Sequence, residues 1–270
     1  MKGTTVAQFT YPKLHGLKAA YDEEGYAIVR RVLDPDLLAD ANRHIDWLID
    51  KHPDLETERL GHWLVADDPF WLRLISDDRL LDIAEQLIGP NIALFAADYI
   101  VKRPGTGGRF AWHQDGGYWP LEPMEVATLW IAYSASNRAN GCLRIIPGTQ
   151  HLPLQERAQV AEEPGELLPG MDQSLADESN AVDIELGPGD VSLHHPHIIH
   201  GSNANTSDRW RRGGTFLYIP TTTHIRSEKF ASFLLRGEAV PGINSYHEFP
   251  RYREGEHFCF REQDAWRRGR

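Results

Sequence analysis

The chain has 270 residues, 41% of them hydrophobic, which is enough for one large domain with a sizeable core. Its formal net charge of -11 disfavours nucleic acid as a partner, because such binders are usually basic. No apolar run approaches the ~20 residues that span a bilayer, the N-terminus lacks a signal peptide's charged and apolar regions, and the two cysteines, Cys142 and Cys259, form no zinc spacing or disulfide framework. The expectation is a cytoplasmic protein with neither a nucleic-acid nor a membrane partner; composition leaves the oligomeric state open.

Residues 1–20 are mixed and carry no pattern. Residues 26–33 follow Gly25, are rich in β-branched side chains and predict a strand. Asp34-Pro35 is a helix start, with a capping oxygen followed by proline at the first helical position. Leu37, Leu38, Ala41, Ile45 and Leu48 then recur at three- and four-residue spacing, and the helix ends near His52-Pro53. Asp67-Asp68-Pro69 starts a second helical segment through Ile75. Asp77-Asp78 starts a third, stopped by Gly89-Pro90. From Ile92 the period switches to strands: 92–95, 99–101, 126–133, 142–146, 191–200 and 215–220, with Asn140-Gly141 reading as a hairpin signal. Residues 103–108 read as plain turn chemistry. Residues 152–183 carry no usable period and hold eight acids against one Arg, a composition that fits either a solvated flap or a lid.

This pattern predicts a mainly β (α+β) fold: a double-stranded β-helix, or jelly roll, with N-terminal helices packed on one sheet. One domain would span 1–270, with a helical front over 1–91, a jelly-roll core over 92–220 carrying the long 152–183 loop, and a C-terminal extension over 221–270.

His-x-Asp occurs three times. His44/Asp46 lies in a helical pattern, where residues two apart diverge. His52/Asp54 encloses Pro53 and reads as a turn. Only His113/Asp115, within residues 110–119, lies in a stretch that reads as a strand, where alternation points both side chains the same way. Four of the thirteen histidines fall in residues 194–200. Pro196 makes the strand register there uncertain, so parity cannot choose among His194, His195, His197 and His200. His200 is favoured by its place at a strand end before Gly201; packing or outer-layer roles are expected for the other three, and a packing role for His44. Two His and one carboxylate form the facial triad of non-haem Fe(II) oxygenases, which leaves positions open for co-substrate and oxygen. Further on, Arg211 offers a guanidinium suited to a dicarboxylate. If a strand starts near Trp210, then Arg211, Gly213 and Thr215 share a face, and the two small neighbours leave space for a bound acid. Trp112, Tyr118, Trp119 and His224 are candidates for a substrate pocket.

The pieces, in order, resemble the phytanoyl-CoA dioxygenase-like (PhyH) family of Fe(II)/2-oxoglutarate-dependent oxygenases. They are Asp-Glu-Glu-Gly-Tyr at 22–26, Leu-Ile-Gly-Pro at 87–90, Trp-His-Gln-Asp at 112–115 and the run 140–149 from Asn-Gly-Cys to Pro-Gly-Thr. Gly-Pro-Gly-Asp at 187–190 and His-Gly-Ser-Asn at 200–203 complete the set, with Arg211 eleven residues beyond His200. The resemblance implies that His113, Asp115 and His200 are catalytic iron ligands and that Arg211 binds the distal carboxylate of 2-oxoglutarate. It implies that Ser202 assists there and that Trp130 lines the co-substrate pocket. Lys102 and Tyr99 are candidates for a more N-terminal co-substrate contact. The implied reaction uses O2 to hydroxylate an unactivated C–H of a small molecule, with succinate and CO2 as co-products; desaturation or ring closure is a variant. Halogenating relatives lack the carboxylate, so Asp115 predicts no halogenation. The rival readings are a non-catalytic metal- or ligand-binding jelly roll and a zinc-dependent hydrolase using the same ligands.

Overall fold

The computed structural model describes residues 6–55, 60–155 and 170–267. Its strands are β1 (Gln8–Thr10), β2 (Tyr26–Arg30), β3 (Ile92–Lys102), β4 (Phe110–His113), β5 (Leu121–Glu122), β6 (Ala127–Ala132), β7 (Leu143–Ile145), β8 (Val182–Ile184), β9 (Val191–His194), β10 (His200–Ser202), β11 (Arg211–Pro220), β12 (His224–Ile225) and β13 (Phe233–Arg236). Its helices are α1 (Leu17–Glu24), α2 (Pro35–Lys51), α3 (Pro69–Ile75), α4 (Asp78–Ile88) and α5 (Gln263–Arg267). The larger sheet runs β1-β2-β9-β6-β11-β3-β13 and the smaller β4-β10-β7-β8; β12 and β5 form a separate pair. This is a jelly-roll-like α+β fold with helices on one sheet.

Alternation along the larger sheet decides which layer each residue joins. Tyr26, Ile28, Trp130 and Ala132 point inward and share a core with Leu143, Ile145 and Ile184 of the smaller sheet. Ala27, Val29, Leu129, Ile131, Leu193, Phe216 and Tyr218 point outward and pack under the helices. The helices α2, α3 and α4 each start on an aspartate cap: Asp34 accepts from Leu37 N–H, Asp68 from Trp71 N–H and Asp77 from Arg79 N–H. A cap contributes about 1 kcal/mol, whereas each fully buried Leu or Ile contributes about 1.5–3 kcal/mol. Leu80, Leu81 and Ile83 of α4 are all buried, so packing on the sheet rather than capping holds that helix.

Four sequence expectations change. The 92–95 and 99–101 strands are one strand, because the tertiary ladder with β11 carries the weakly β-forming Ala96-Ala97-Asp98 along; its register slips at Phe95, opposite Leu217/Tyr218. Residues 191–200 are two strands in two sheets, separated by the turn around Pro196. Asn140-Gly141 is a tight turn, with Gly141 at φ 75, but it joins strands of different sheets rather than a hairpin. At the end of the patternless first twenty residues α1 forms against β2, and within the stretch expected as a C-terminal extension β13 adds to the edge of β3.

Candidate metal centre

The site lies between the sheets, where β4 and β10 run antiparallel with His113 and His200 directly opposite each other. β4 ends on His113. Gln114 stays extended at φ -118, ψ 120, so the alternation holds for one more residue before Asp115 enters a 3-10 turn, Asp115–Tyr118. Asp115 therefore points to the same side as His113. Gln114 faces the other way and fixes the neighbouring connection: its Nε2 donates to His197 O at 2.7 Å, and Gly116 N–H donates to Pro196 O at 2.8 Å. These bonds tie the His-x-Asp turn to the chain that delivers His200.

Both histidines use the same local device. His113 Nδ1 lies 2.7 Å from Ala111 O and His200 Nδ1 lies 3.0 Å from Ile198 O, each a carbonyl two residues back. A carbonyl only accepts, so Nδ1 carries the proton and the Nε2 lone pair is left for a ligand. Those Nε2 atoms lie 3.4 Å and 3.6 Å from the same atom, Asp115 Oδ1. The three donor atoms fall within 4.8 Å of one another, a spacing that fits a single metal ion. Burial, with His113 alongside, pushes His200 down to about 3; it is a neutral imidazole at ordinary pH. Two imidazoles and one carboxylate are the donor set that suits Fe(II) with open positions.

Further along the same cavity wall lies Arg211, with Lys102 beside it. Arg211 opens β11 directly across from Lys102, the last residue of β3, and both are buried. Lys102 Nζ donates to Ser202 Oγ at 2.7 Å and to Asn203 O. Arg211 donates to Gly141 O at 2.8 Å. A guanidinium held at this point of the wall suits a carboxylate, which it can meet with two parallel N–H groups. Arg211, Gly213 and Thr215 do share the inner face, but the room over Gly213 is taken by protein. A Cβ there would sit 2.3 Å from Trp130 Cζ2. The Trp130 indole thus lies where a side chain would be and supports the Arg211 guanidinium, 5.3 Å from the ring centroid. Tyr99 points to the helix side, where it stacks on Trp71 at 4.4 Å; Lys102 does not line the cavity and meets it only through its hydrogen bond to Ser202.

A cavity of about 630 Å³ joins the His–Asp–His cluster to Ser202, Arg211 and Trp130. Tyr118 and Trp119 line it, together with Phe95, Asp98 and Phe230, which the sequence reading did not single out. Trp112 and His224 do not. Trp112 alternates away from His113 and donates to Glu178 Oε1 at 2.8 Å, and His224 is exposed on β12. Residues 156–169, the middle of the acidic segment, lie outside the described residues; its flank 170–183 is stapled to β4 by Gln173 and Glu178. His195 and His197 sit outside the cavity in the turn, their rings 5.2 Å apart. His44 is fully buried behind the larger sheet. His194 lines the cavity and reaches Asp115; only its membership of the four-histidine run signalled this in the sequence. No described helix is long and apolar enough to cross a membrane.

Comparison with known proteins agrees with this geometry. Residues 21–213 match the model of the family described as Phytanoyl-CoA dioxygenase (PhyH). The chain is 29% identical over 193 residues to Phytanoyl-CoA dioxygenase domain-containing protein 1 of Danio rerio, a match covering 70% of this chain and 65% of that protein. The chain thus spans somewhat under two-thirds of that relative's length. Its fold is similar to that of the apo non-heme monooxygenase ThoJ, with TM-score 0.73, 20% identity, and 87% and 88% of the two chains covered. It is also similar to EctD from S. alaskensis, with TM-score 0.67, 21% identity, and 87% and 88% covered; that structure contains 2-oxoglutarate and 5-hydroxyectoine, and another of EctD contains Fe. From the match over residues 21–213, together with the ordered motifs on this framework, the chain belongs to the phytanoyl-CoA dioxygenase (PhyH) family.

Proposed function

We propose that this chain is an Fe(II)- and 2-oxoglutarate-dependent oxygenase that hydroxylates an unactivated C–H bond of a small molecule. The observation that carries this reading is the cavity itself. It places a two-imidazole, one-carboxylate cluster at one point of its wall and Arg211 with Ser202 at another. The donor set fits ferrous iron, and the buried Arg211 guanidinium fits the far carboxylate of a keto-diacid. In this reading His113, Asp115 and His200 hold the metal. Arg211 and Ser202 bind the distal carboxylate, Lys102 positions the Ser202 hydroxyl, and Trp130 keeps the guanidinium in place. When bound, the iron and co-substrate supply the oxidant: one O2 is consumed, 2-oxoglutarate becomes succinate and CO2, and one oxygen atom enters the substrate. The protein's own part is to orient these groups and to exclude water with Phe95, Trp119 and Phe230. One oxygenase domain, acting on a freely diffusing small molecule without nucleic acid or membrane, is the arrangement proposed.

The test is Fe(II)-reconstituted protein supplied with 2-oxoglutarate, O2 and a panel of small molecules, with succinate and O2 uptake both measured. Succinate release that needs Fe(II) and rises with at least one compound supports the proposal. Tightly retained zinc, with no succinate formed under any condition, overturns it in favour of a hydrolase or a binding protein.

A further inference from the structure

His194 shares the cavity with the triad but arrives from the other sheet. β9 of the larger sheet ends on it, and β10 of the smaller sheet begins on His200. The five intervening residues carry the chain across, so two histidines six positions apart approach one carboxylate from opposite layers. Their ring centroids are 4.6 Å apart. His194 is only 2% exposed. Its Nε2 lies 3.2 Å from Asp115 Oδ2, whereas His113 and His200 face Oδ1. The two oxygens of one carboxylate therefore have separate partners.

An ionised carboxylate only accepts hydrogen bonds, so the proton of this contact belongs to His194 Nε2. The opposite ring nitrogen, Nδ1, is buried and makes no hydrogen bond among the described residues. Among the described residues Asp115 is thus the single hydrogen-bond partner of the imidazole. A ring whose one polar contact is a metal-site carboxylate is oriented for that carboxylate. His195 and His197 do not share this role, because the turn around Pro196 carries them outside the cavity.

We propose that His194 is a positioning residue that holds Asp115 Oδ2, so that Asp115 offers Oδ1 alone to the metal. This rests on the reading of the cluster as an iron centre. The consequence is a count of positions. With iron and a two-point keto acid bound, two imidazoles and one carboxylate oxygen would bring the count to five and leave a sixth position open. A carboxylate gripping through both oxygens makes six and closes the site. His194 protects the open position without being a ligand.

The test compares His194→Met with His194→Gln, side chains of similar length that differ in the N–H donor. Each is titrated with Co(II) alone, without 2-oxoglutarate or O2, so the result does not depend on whether the protein is an oxygenase. The Met variant is expected to bind Co(II) at least about tenfold more weakly, in the range found for lost outer-layer contacts, with an altered visible spectrum. The Gln variant should recover most of both. In the Fe(II) enzyme, the Met variant should release more succinate per product formed, while its KM for 2-oxoglutarate stays put. Equal behaviour of Met and Gln, whether both wild-type or both impaired, overturns the proposal. The wild-type protein gives an answer that needs no variant to fold: a ring N–H resonance at His194 Nε2, slow to exchange with solvent, is expected by NMR of the Zn(II) form. Its appearance on Nδ1 instead contradicts the assignment.

Discussion

Two His–carboxylate clusters sit on opposite faces of the larger sheet, and their difference shows what a metal site requires. Behind the sheet, His44 Nε2 meets Asp68 Oδ2 at 2.7 Å and its Nδ1 meets the Tyr99 hydroxyl at 3.0 Å. Both ring nitrogens are satisfied by the protein. The ring is walled in by Phe70, Trp71, Trp47 and Phe258, and Asp68 also caps α3. In front of the sheet, His113 and His200 satisfy only Nδ1, each on its own backbone, and both Nε2 atoms turn to a shared carboxylate oxygen beside a cavity. The residue types are alike; the destination of the second nitrogen separates a structural network from a site able to take a ligand.

The sharpest way to break the comparison is to remove one carboxylate from each cluster. Asp115→Ala should lower turnover by at least about a thousandfold, near 4 kcal/mol on the barrier, with Tm in the metal-free state almost unchanged. Asp68→Ala should do the reverse. It should cost about 3–5 kcal/mol of stability in urea unfolding, because a buried partner is lost and α3 loses its cap, while metal affinity of the folded fraction holds. That stability term has a defined pH window. Burial alone would raise the Asp68 carboxyl, but His44 and the Trp71 N–H lower it below its ordinary value of 3.8. A group lowered in the folded state contributes fully above its unfolded value and loses the contribution as pH falls through the folded one. The gap between wild type and Asp68→Ala should therefore be flat from pH 8 to about 5 and narrow below about 4.

Within the front cluster, Arg211→Leu should weaken 2-oxoglutarate binding by about 30–100-fold, the worth of a charge-assisted contact at about 2–3 kcal/mol, and leave Co(II) affinity within twofold. Equal loss of both would mean that Arg211 supports the fold rather than the co-substrate. The smallest effect belongs to Gly213→Ala. Its methyl displaces the Trp130 ring from 2.3 Å, which should cost about 1–3 kcal/mol of stability and raise the KM for 2-oxoglutarate several-fold.

The two clusters were unequally legible in the sequence. The front one stands in short local patterns: His-x-Asp across an extended Gln114, and His-Gly-Ser-Asn opening a strand. Local alternation sufficed because Gln114 keeps β geometry up to the turn. The helix caps at Asp34, Asp68 and Asp77 were equally plain, since capping is a local reaction of side chain with backbone. What stayed hidden depends on distant partners. Nothing near His44 announces Asp68 and Tyr99, which are 24 and 55 residues away. The strand across Ala96–Asp98 exists because β11 pairs with it, and the crossing at Pro196 depends on which sheet each flank joins. The contact of His194 with Asp115 spans 79 residues and two sheets, beyond the reach of any local pattern.

The most direct measurement is the visible spectrum of the protein with Fe(II) and 2-oxoglutarate in the absence of oxygen. Ferrous iron chelated by the keto acid gives a weak charge-transfer band. The band should form in the wild type and in Asp68→Ala protein that remains folded, and be missing from His200→Ala. A wild-type protein that binds Fe(II) yet yields no band at saturating 2-oxoglutarate, or a His200→Ala variant that keeps it, contradicts an iron centre built on His113, Asp115 and His200.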